Sequence, residues 1–181
     1  MAGSKFLEGE KVTLRTVEEE DLEFLRDNVN DPQVRKPIGS RKPYNLKQEQ
    51  DFFEGVVSDG DSVNLLIWAG DDESEERRAG IISLDNINQE SGHAEIGLWL
   101  TPEEWGHGYA TEASKLVTNY GFDQLRLHRI QARVFDFNDA SKRVWEKLGF
   151  VKEGVHRERY FIDGEYFDVH YYAVLKDEWG D

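Results

Sequence analysis

Apolar and polar residues alternate in "KVTLRTV", which predicts a strand near the N-terminus. Thr16 and Glu19 then have the spacing of a capping box, and the segment after them puts Leu22, Leu25 and Val29 on one side of a helix. "RKPIGSRKPY" reads as a loop, because Pro37, Gly39 and Pro43 interrupt any regular element. Asn45 caps a second helix from Leu46 to about Ser58. "SVNLLIWAG" is a buried strand, "DDESEERR" a charged turn and "AGIISLDNI" the next strand. "GHAEIGLWL" alternates cleanly: Ala94, Ile96, Leu98 and Leu100 fall on one face, and His93, Glu95, Gly97 and Trp99 on the other. A helix follows in "WGHGYATEASKLVTNYGF", with Ala110, Ala113, Val117 and Tyr120 forming its buried stripe. "RIQARVF" is a strand, and Asn138 caps a fourth helix carrying Ala140, Val144 and Leu148, which Gly149 ends. Two last strands meet at Asp163-Gly164, a strong hairpin signal.

The order is therefore β-α-α-β-β-β-α-β-α-β-β. It is neither strictly alternating nor all-β, so the natural class is an α+β sheet covered by helices. A chain of 181 residues suits one domain, residues 1–181, with a single core. No run approaches the roughly 20 apolar residues of a membrane span, and "MAGSKFLEGE" lacks the apolar stretch of a secretory signal. The absence of cysteine excludes disulfides, thiolate metal sites and cysteine nucleophiles. A cytoplasmic protein with no membrane partner is the simplest expectation.

Charge changes the picture. Asp and Glu number 37 against 22 Lys and Arg, a formal charge of −15. Nucleic-acid binders carry the opposite balance, so no nucleic-acid partner is expected. The acidity fits either a surface built for a high-salt, halophilic cytoplasm or a field that draws in a basic substrate. The acids are spread along the whole chain, which favours the first.

Three constellations could carry chemistry. Gly106 and Gly108 stand at the mouth of a helix, where unpartnered amides at the positive end of the dipole suit an anion. The spacing is neither a P-loop nor GxGxxG, so on its own it leaves a tight turn equally open. Asn138 caps its helix, while Ser141 and Trp145 are read as sharing a face apart from the Ala140, Val144 and Leu148 stripe and able to line a groove, or else simply half-exposed. Glu95 sits mid-strand beside Trp99, and a carboxylate among aromatic rings is suited to accept a proton near neutral pH; an ion-paired strand residue is the other reading. His93 is a weaker case of the same kind. His107 in the glycine turn could touch a phosphate or be merely solvated, and no His spacing suits a metal. Tyr160, Tyr166, Tyr171 and Tyr172 read as sheet-packing residues.

Taken together, "EIGLWLTPEEWGHGYATEA", "NDASKRVWEKLGFVKEG" and "RERYFIDGEYFDVHYYAVLKDEW" resemble the GCN5-related N-acetyltransferase (GNAT) superfamily, and more narrowly its RimJ/RimL-type ribosomal-protein N-terminal acetyltransferases. The resemblance runs over nearly the whole chain. It implies a mixed, mostly antiparallel seven-stranded sheet, splayed in the middle and flanked by about four helices, with acetyl-CoA as cofactor. It implies that backbone amides around Trp105, Gly106, His107, Gly108, Tyr109 and Ala110 bind the pyrophosphate. Free backbone groups at Leu98, Trp99 and Leu100 would pair with the pantetheine arm. Asn138, Ser141 and Trp145, with Lys142 nearby, fall on the second cofactor helix, and the loop from roughly Arg35 to Tyr44 helps form the acceptor pocket.

The implied reaction is direct acetyl transfer to a primary amine. An α-amine of pKa about 8 is mostly protonated at neutral pH, so a base is needed, and Glu95 is the candidate. The amide of Leu98 or Trp99 would polarise the acyl oxygen. Two residues depart from the family pattern. Glu103 stands where a Gln or Arg usually begins the glycine motif, and a carboxylate cannot donate to an anion, so affinity rests on the amides and any nearby Lys or Arg. Trp145 stands where many members carry a Tyr as general acid; indole is no acid, a thiol of pKa about 8.5 is a tolerable leaving group, and Ser141 is the remaining donor to the sulfur. The expected acceptor is a protein N-terminus. A small amine (polyamine, amino sugar or antibiotic) and a catalytically silent acyl-CoA sensor are the alternatives, and the state is monomer or homodimer.

Overall fold

Two apolar stripes decide how the chain is layered. The computed structural model describes residues 2–58, 60–70 and 75–180. The strands are β1 (Lys5–Glu8), β2 (Val12–Thr16), β3 (Val63–Ala69), β4 (Arg77–Asn88), β5 (His93–Leu100), β6 (Arg129–Phe135), β7 (Val151–Ile162) and β8 (Glu165–Leu175). The helices are α1 (Leu22–Val29), α2 (Pro32–Ile38), α3 (Leu46–Phe52), α4 (Tyr109–Asp123) and α5 (Asp139–Lys147). One eight-stranded sheet runs β1-β2-β3-β4-β5-β6-β8-β7, antiparallel throughout except for the β5–β6 pair. Ala94, Ile96 and Leu100 of β5 pack with Ala113 and Val117 of α4 and Trp145 of α5, so α4 and α5 cover one face. Leu66, Ile81 and Trp99 meet Leu22 and Leu25 of α1 and Phe52 of α3, so α1 and α3 cover the other. No described helix is long and apolar enough to cross a membrane.

The class is the expected α+β one, with one strand and one helix more than the sequence pattern predicted. The added strand is β1, only four residues long and partnered by β2 alone, too short to alternate visibly. The added helix is α2, whose last four residues, 35–38, fall in the segment read as a loop. Asp31 caps it by accepting from the Gln33 amide at 2.7 Å, Pro32 opens it, and Gly39 closes it in the left-handed region at φ 75°. Gly39 is thus the helix's terminator and not evidence against one. The capping box before α1 also moves: the Glu18 amide donates to Asp21 Oδ2 at 3.0 Å, and Thr16 ends β2 with its hydroxyl on Glu18. Asn45 does cap α3, with Gln48 closing the box, and a single π-helical turn over Phe53–Val57 carries the chain to Ser58. Asp163 and Gly164 have φ 51° and 89°, as a two-residue hairpin between β7 and β8 requires. Of the charged turn "DDESEERR", residues 71–74 lie outside the described residues.

Gly121 lets α4 lie close to the sheet. A Cβ there would come within 2.9 Å of Ile130 Cδ1 and 3.2 Å of Leu127 Cδ1, both in the core. Gly121→Val should overpack this contact and cost about 1–3 kcal/mol, read as a lower urea midpoint with an unchanged slope.

Candidate active site

β5 and β6 run parallel, and they stay paired for only three rungs, ending at Glu95↔Gln131. β5 continues to Leu100 and β6 to Phe135 without further pairing to each other. Their C-terminal ends therefore part, with the loop to α4 leaving one strand and the turn to α5 leaving the other. Such openings at the carboxyl ends of parallel strands are where ligands bind in α/β sheets. The backbone polarity of the opened edge follows from the pairing with β4. A Cβ on Gly80 would collide with the Trp99 carbonyl, and the Thr101 amide donates to Ala79 at 2.8 Å, so residues 99 and 101 face β4. By strand alternation, the amides and carbonyls of Leu98 and Leu100 face the opening. The Leu100 carbonyl is taken by the Trp105 indole at 3.0 Å. Trp99 thus departs from expectation: its backbone serves β4, and its ring packs on Phe24 at 6.0 Å on the far face.

The glycine loop supplies the opening's second wall. Gly106 and Gly108 have φ 81° and 86°, a conformation that side-chain-bearing residues avoid, and Gly108 is the residue that caps α4. A Cβ at Gly106 would meet nothing within 4 Å. Among the described residues the first amide here with a backbone acceptor is that of Glu112, on the Gly108 carbonyl at 3.1 Å. Six amides, from Gly106 to residue 111, are thus left without a backbone partner. The His107 ring stacks on Tyr109 at 5.3 Å, and the Tyr109 ring itself is buried. Open space over unpartnered amides at a helix N-terminus fits the pyrophosphate of a nucleotide cofactor. Glu104, next to this cradle, is only 4% exposed and is forked onto Arg77, with bonds of 2.6 and 2.8 Å. Its charge is thereby compensated, whereas Glu103 stays exposed.

On the α1 side of the sheet a polar strip crosses the strands below the opening. Register puts Ser83 and Asp85 of β4, Gly97 and Glu95 of β5, Gln131 and Arg133 of β6 and Tyr171 of β8 on it. Glu95 takes the second of its two expected readings, that of an ion-paired strand residue. It accepts from Arg133 Nε at 2.6 Å and from Gln131 Nε2 at 3.2 Å, with its side chain 17% exposed. This pair reaches from the last paired rung to a residue two places beyond it on β6. Asp85 stands beside Glu95 and was missed in the sequence, where it reads as the polar member of a strand. Burial pushes its carboxyl above the ordinary carboxylate value; Glu95 adds to this, while the Ser83 hydroxyl at 2.6 Å and Arg133 oppose it.

α5 corrects a second expectation. Trp145 is 2% exposed and packs on Phe150 in the core, while Ala140 is exposed. The buried stripe is Ser141, Val144, Trp145 and Leu148, so Trp145 does not line a groove. Its indole N–H donates to Ser141 Oγ at 3.2 Å. Asn138 caps α5 by accepting from the Ser141 amide at 3.1 Å. Of the four tyrosines, Tyr172 is core, with its hydroxyl on Glu146 and its pKa pushed up to about 12 by burial and that bond, but Tyr166 is 64% exposed. Among the described residues no three His, Asp or Glu side chains gather as a metal site.

A sheet split between parallel strands, an anion cradle at one wall and a polar strip beneath define a coenzyme A-dependent acyltransferase. Residues 11–151 match the family described as the acetyltransferase (GNAT) domain, and the chain belongs to that family. It is 30% identical over 179 residues to "Putative ribosomal N-acetyltransferase YdaF" of Bacillus subtilis, covering 94% of each chain. It is 31% identical over 156 residues to the spermidine N(1)-acetyltransferase of Escherichia coli, covering 86% of this chain and 81% of that one. The solved spermidine N-acetyltransferase of Vibrio cholerae, in complex with CoA and spermine, superposes with a TM-score of 0.85 at 26% identity, covering 94% and 98% of the two chains. The protein is an N-acetyltransferase that uses acetyl-CoA.

The Asp85 shift has a sign that stability measurements can read. The folded state holds this proton more tightly than the unfolded chain, so the associated stability is complete below the ordinary value of 3.8 and lost as pH rises through the folded value. Asp85→Asn should therefore raise the urea midpoint at neutral pH, and the gain should vanish at acid pH.

Proposed function

We propose that the acceptor is the α-amine at the N-terminus of a protein, reached along the polar strip at Glu95. One observation carries this reading: the acceptor side is basic in a strongly acidic chain. From Pro32 to Gln48 the sequence holds five cations and no carboxylate. This segment docks at the mouth of the split. Gly39 abuts Phe135 and Tyr160, and Arg41 donates to the Phe161 carbonyl at 3.1 Å. Arg41 and Arg159 lie over the Tyr160 ring at 5.3 and 6.0 Å, and Arg133 stands nearby. A collar of guanidinium groups disfavours a free polycation and suits a peptide whose carbonyls and acidic side chains can accept from it. The 30% identity to YdaF agrees with this.

Acetyl-CoA, when bound, supplies the acyl thioester. Glu95 accepts the proton of the incoming ammonium, directly or through water, and Arg133 and Gln131 hold its carboxylate toward the strip. The Leu98 amide, free of β4, donates to the acyl oxygen. Ser141 donates to the departing sulfur. A small polyamine is the second reading, favoured by the adjacent Asp85 and Glu95 carboxylates and by the spermidine acetyltransferases among the relatives.

Thiol release measured with N-terminal peptides and with spermidine separates the two. Peptides should give the higher kcat/KM, and Arg41→Glu with Arg159→Glu should shift the preference toward spermidine. Higher kcat/KM for spermidine in the unaltered protein would overturn the peptide reading. Glu95→Gln should lower turnover at neutral pH by about a hundredfold or more while leaving the calorimetric affinity for CoA intact. An unchanged rate and pH profile would remove Glu95 as the base.

A further inference from the structure

The glycine cradle has an electrostatic problem. Glu103, Glu104 and Glu112 all lie within a few residues of the amides that must receive a pyrophosphate, and the motif begins with a carboxylate, Glu103, where the resemblance leads one to expect Gln or Arg. Two of the three are compensated. Glu104 is held by Arg77, and Glu112 turns away from the cradle to the tip of the β1–β2 hairpin. There its carboxylate accepts from the amides of Glu10 and Lys11, the latter at 3.1 Å to each oxygen. Gly9 makes this approach possible, since a Cβ there would collide with Glu112. The Lys11 carbonyl is fixed from the other side by the Gly70 amide at 3.3 Å, and the Gly9 amide closes the turn on Val12 at 2.9 Å. The backbone of Lys11 is thus anchored to the first turn of α4 and to the end of β3.

The consequence is where the side chain goes. Lys11 Nζ lies 4.0 Å from where a Cβ on Gly108 would be, and Gly108 is the residue that caps α4. Lys11 makes no ion pair among the described residues. An unpaired ammonium beside unpartnered amides, held there by a carboxylate that binds only its backbone, is arranged to meet an anion. We propose that Lys11 is a pyrophosphate-binding residue of the acetyl-CoA site. It supplies from the β1–β2 turn the positive charge that Glu103 cannot supply from the motif itself. Glu112 acts as the positioning residue that brings the turn to the cradle. This rests on the cofactor and not on which amine is acetylated, so it stands or falls separately from the choice of acceptor.

Isothermal titration of the full chain with CoA and with 3′-dephospho-CoA tests it. Both ligands carry the pyrophosphate, and only the first carries the ribose phosphate. Lys11→Ala should weaken both about tenfold, the usual effect of losing one charge-assisted bond at a partly solvated site, and Lys11→Arg should restore most of it. If neither affinity falls, Lys11 has no part in the site. If only CoA weakens, Lys11 meets the ribose phosphate and the pyrophosphate assignment is wrong. Thermal unfolding of the unliganded variants should match the parent, since the Lys11 side chain is exposed.

Discussion

The parting of two parallel strands is the constraint on which the rest of this structure depends. A parallel pair cannot be closed by a hairpin, so the chain must cross over, and here the crossover is α4. Because β5 and β6 share only three rungs, the crossover helix begins at the mouth of a gap rather than over a closed sheet. The gap exposes amides and carbonyls on β5, which would be costly if nothing accepted them. An amide-rich ligand arm is a natural occupant, and the family's cofactor has one. The Glu95–Arg133 pair sits where the gap starts, so one carboxylate both bridges the vertex and faces the strip where an amine would arrive.

Charge is distributed unevenly around the opening between β5 and β6. The whole chain is strongly acidic, yet the groups nearest the proposed pyrophosphate are amides, Lys11 and a neutralised Glu104. Arg77 contributes indirectly: with its guanidinium committed to Glu104, it removes a repulsion and adds no free cation. On the proposed acceptor side the arrangement is inverted. Carboxylates lie in the floor, at Asp85 and Glu95, and guanidinium groups lie in the rim, at Arg41 and Arg159. Under the proposed function, a single protonated amine would be favoured at such a floor, while a second positive charge farther out would meet the rim.

Much of this was legible in the sequence, and the failures have physical causes. Alternation in "GHAEIGLWL" placed both faces of β5, because one face is buried under α4 and the other is half-polar. The same alternation cannot say which strand edge a backbone group faces, so Leu98 and Trp99 were indistinguishable until the Gly80 contact fixed the phase. In α5 the true stripe of residues 141, 144, 145 and 148 has ordinary helical spacing, and its mistaken assignment came from starting the stripe at Ala140. α2 was hidden by Pro37 and Gly39, although Asp31, Pro32 and Gly39 are start and stop signals in the right order. Lys11 and Asp85 carry no local signature at all. Each matters through neighbours about a hundred or ten residues away, which only the folded register brings together.

The buried Trp145 bears on how the thiol could leave. Indole nitrogen is a donor only, so its bond to Ser141 must end on the serine oxygen. The Ser141 proton is then not engaged by Trp145, and the adjacent amide bond of Ser141 is committed to Asn138. The hydroxyl is thus held as an acceptor on the core side with its own proton left to point elsewhere. A tyrosine at the same position, if it packed as Trp145 does, would present a phenol to the core and not to the gap. Buried in the core, Trp145 instead orients its neighbour through this bond. Of residues 141 and 145, Ser141 is the one whose side-chain proton is not committed to the other.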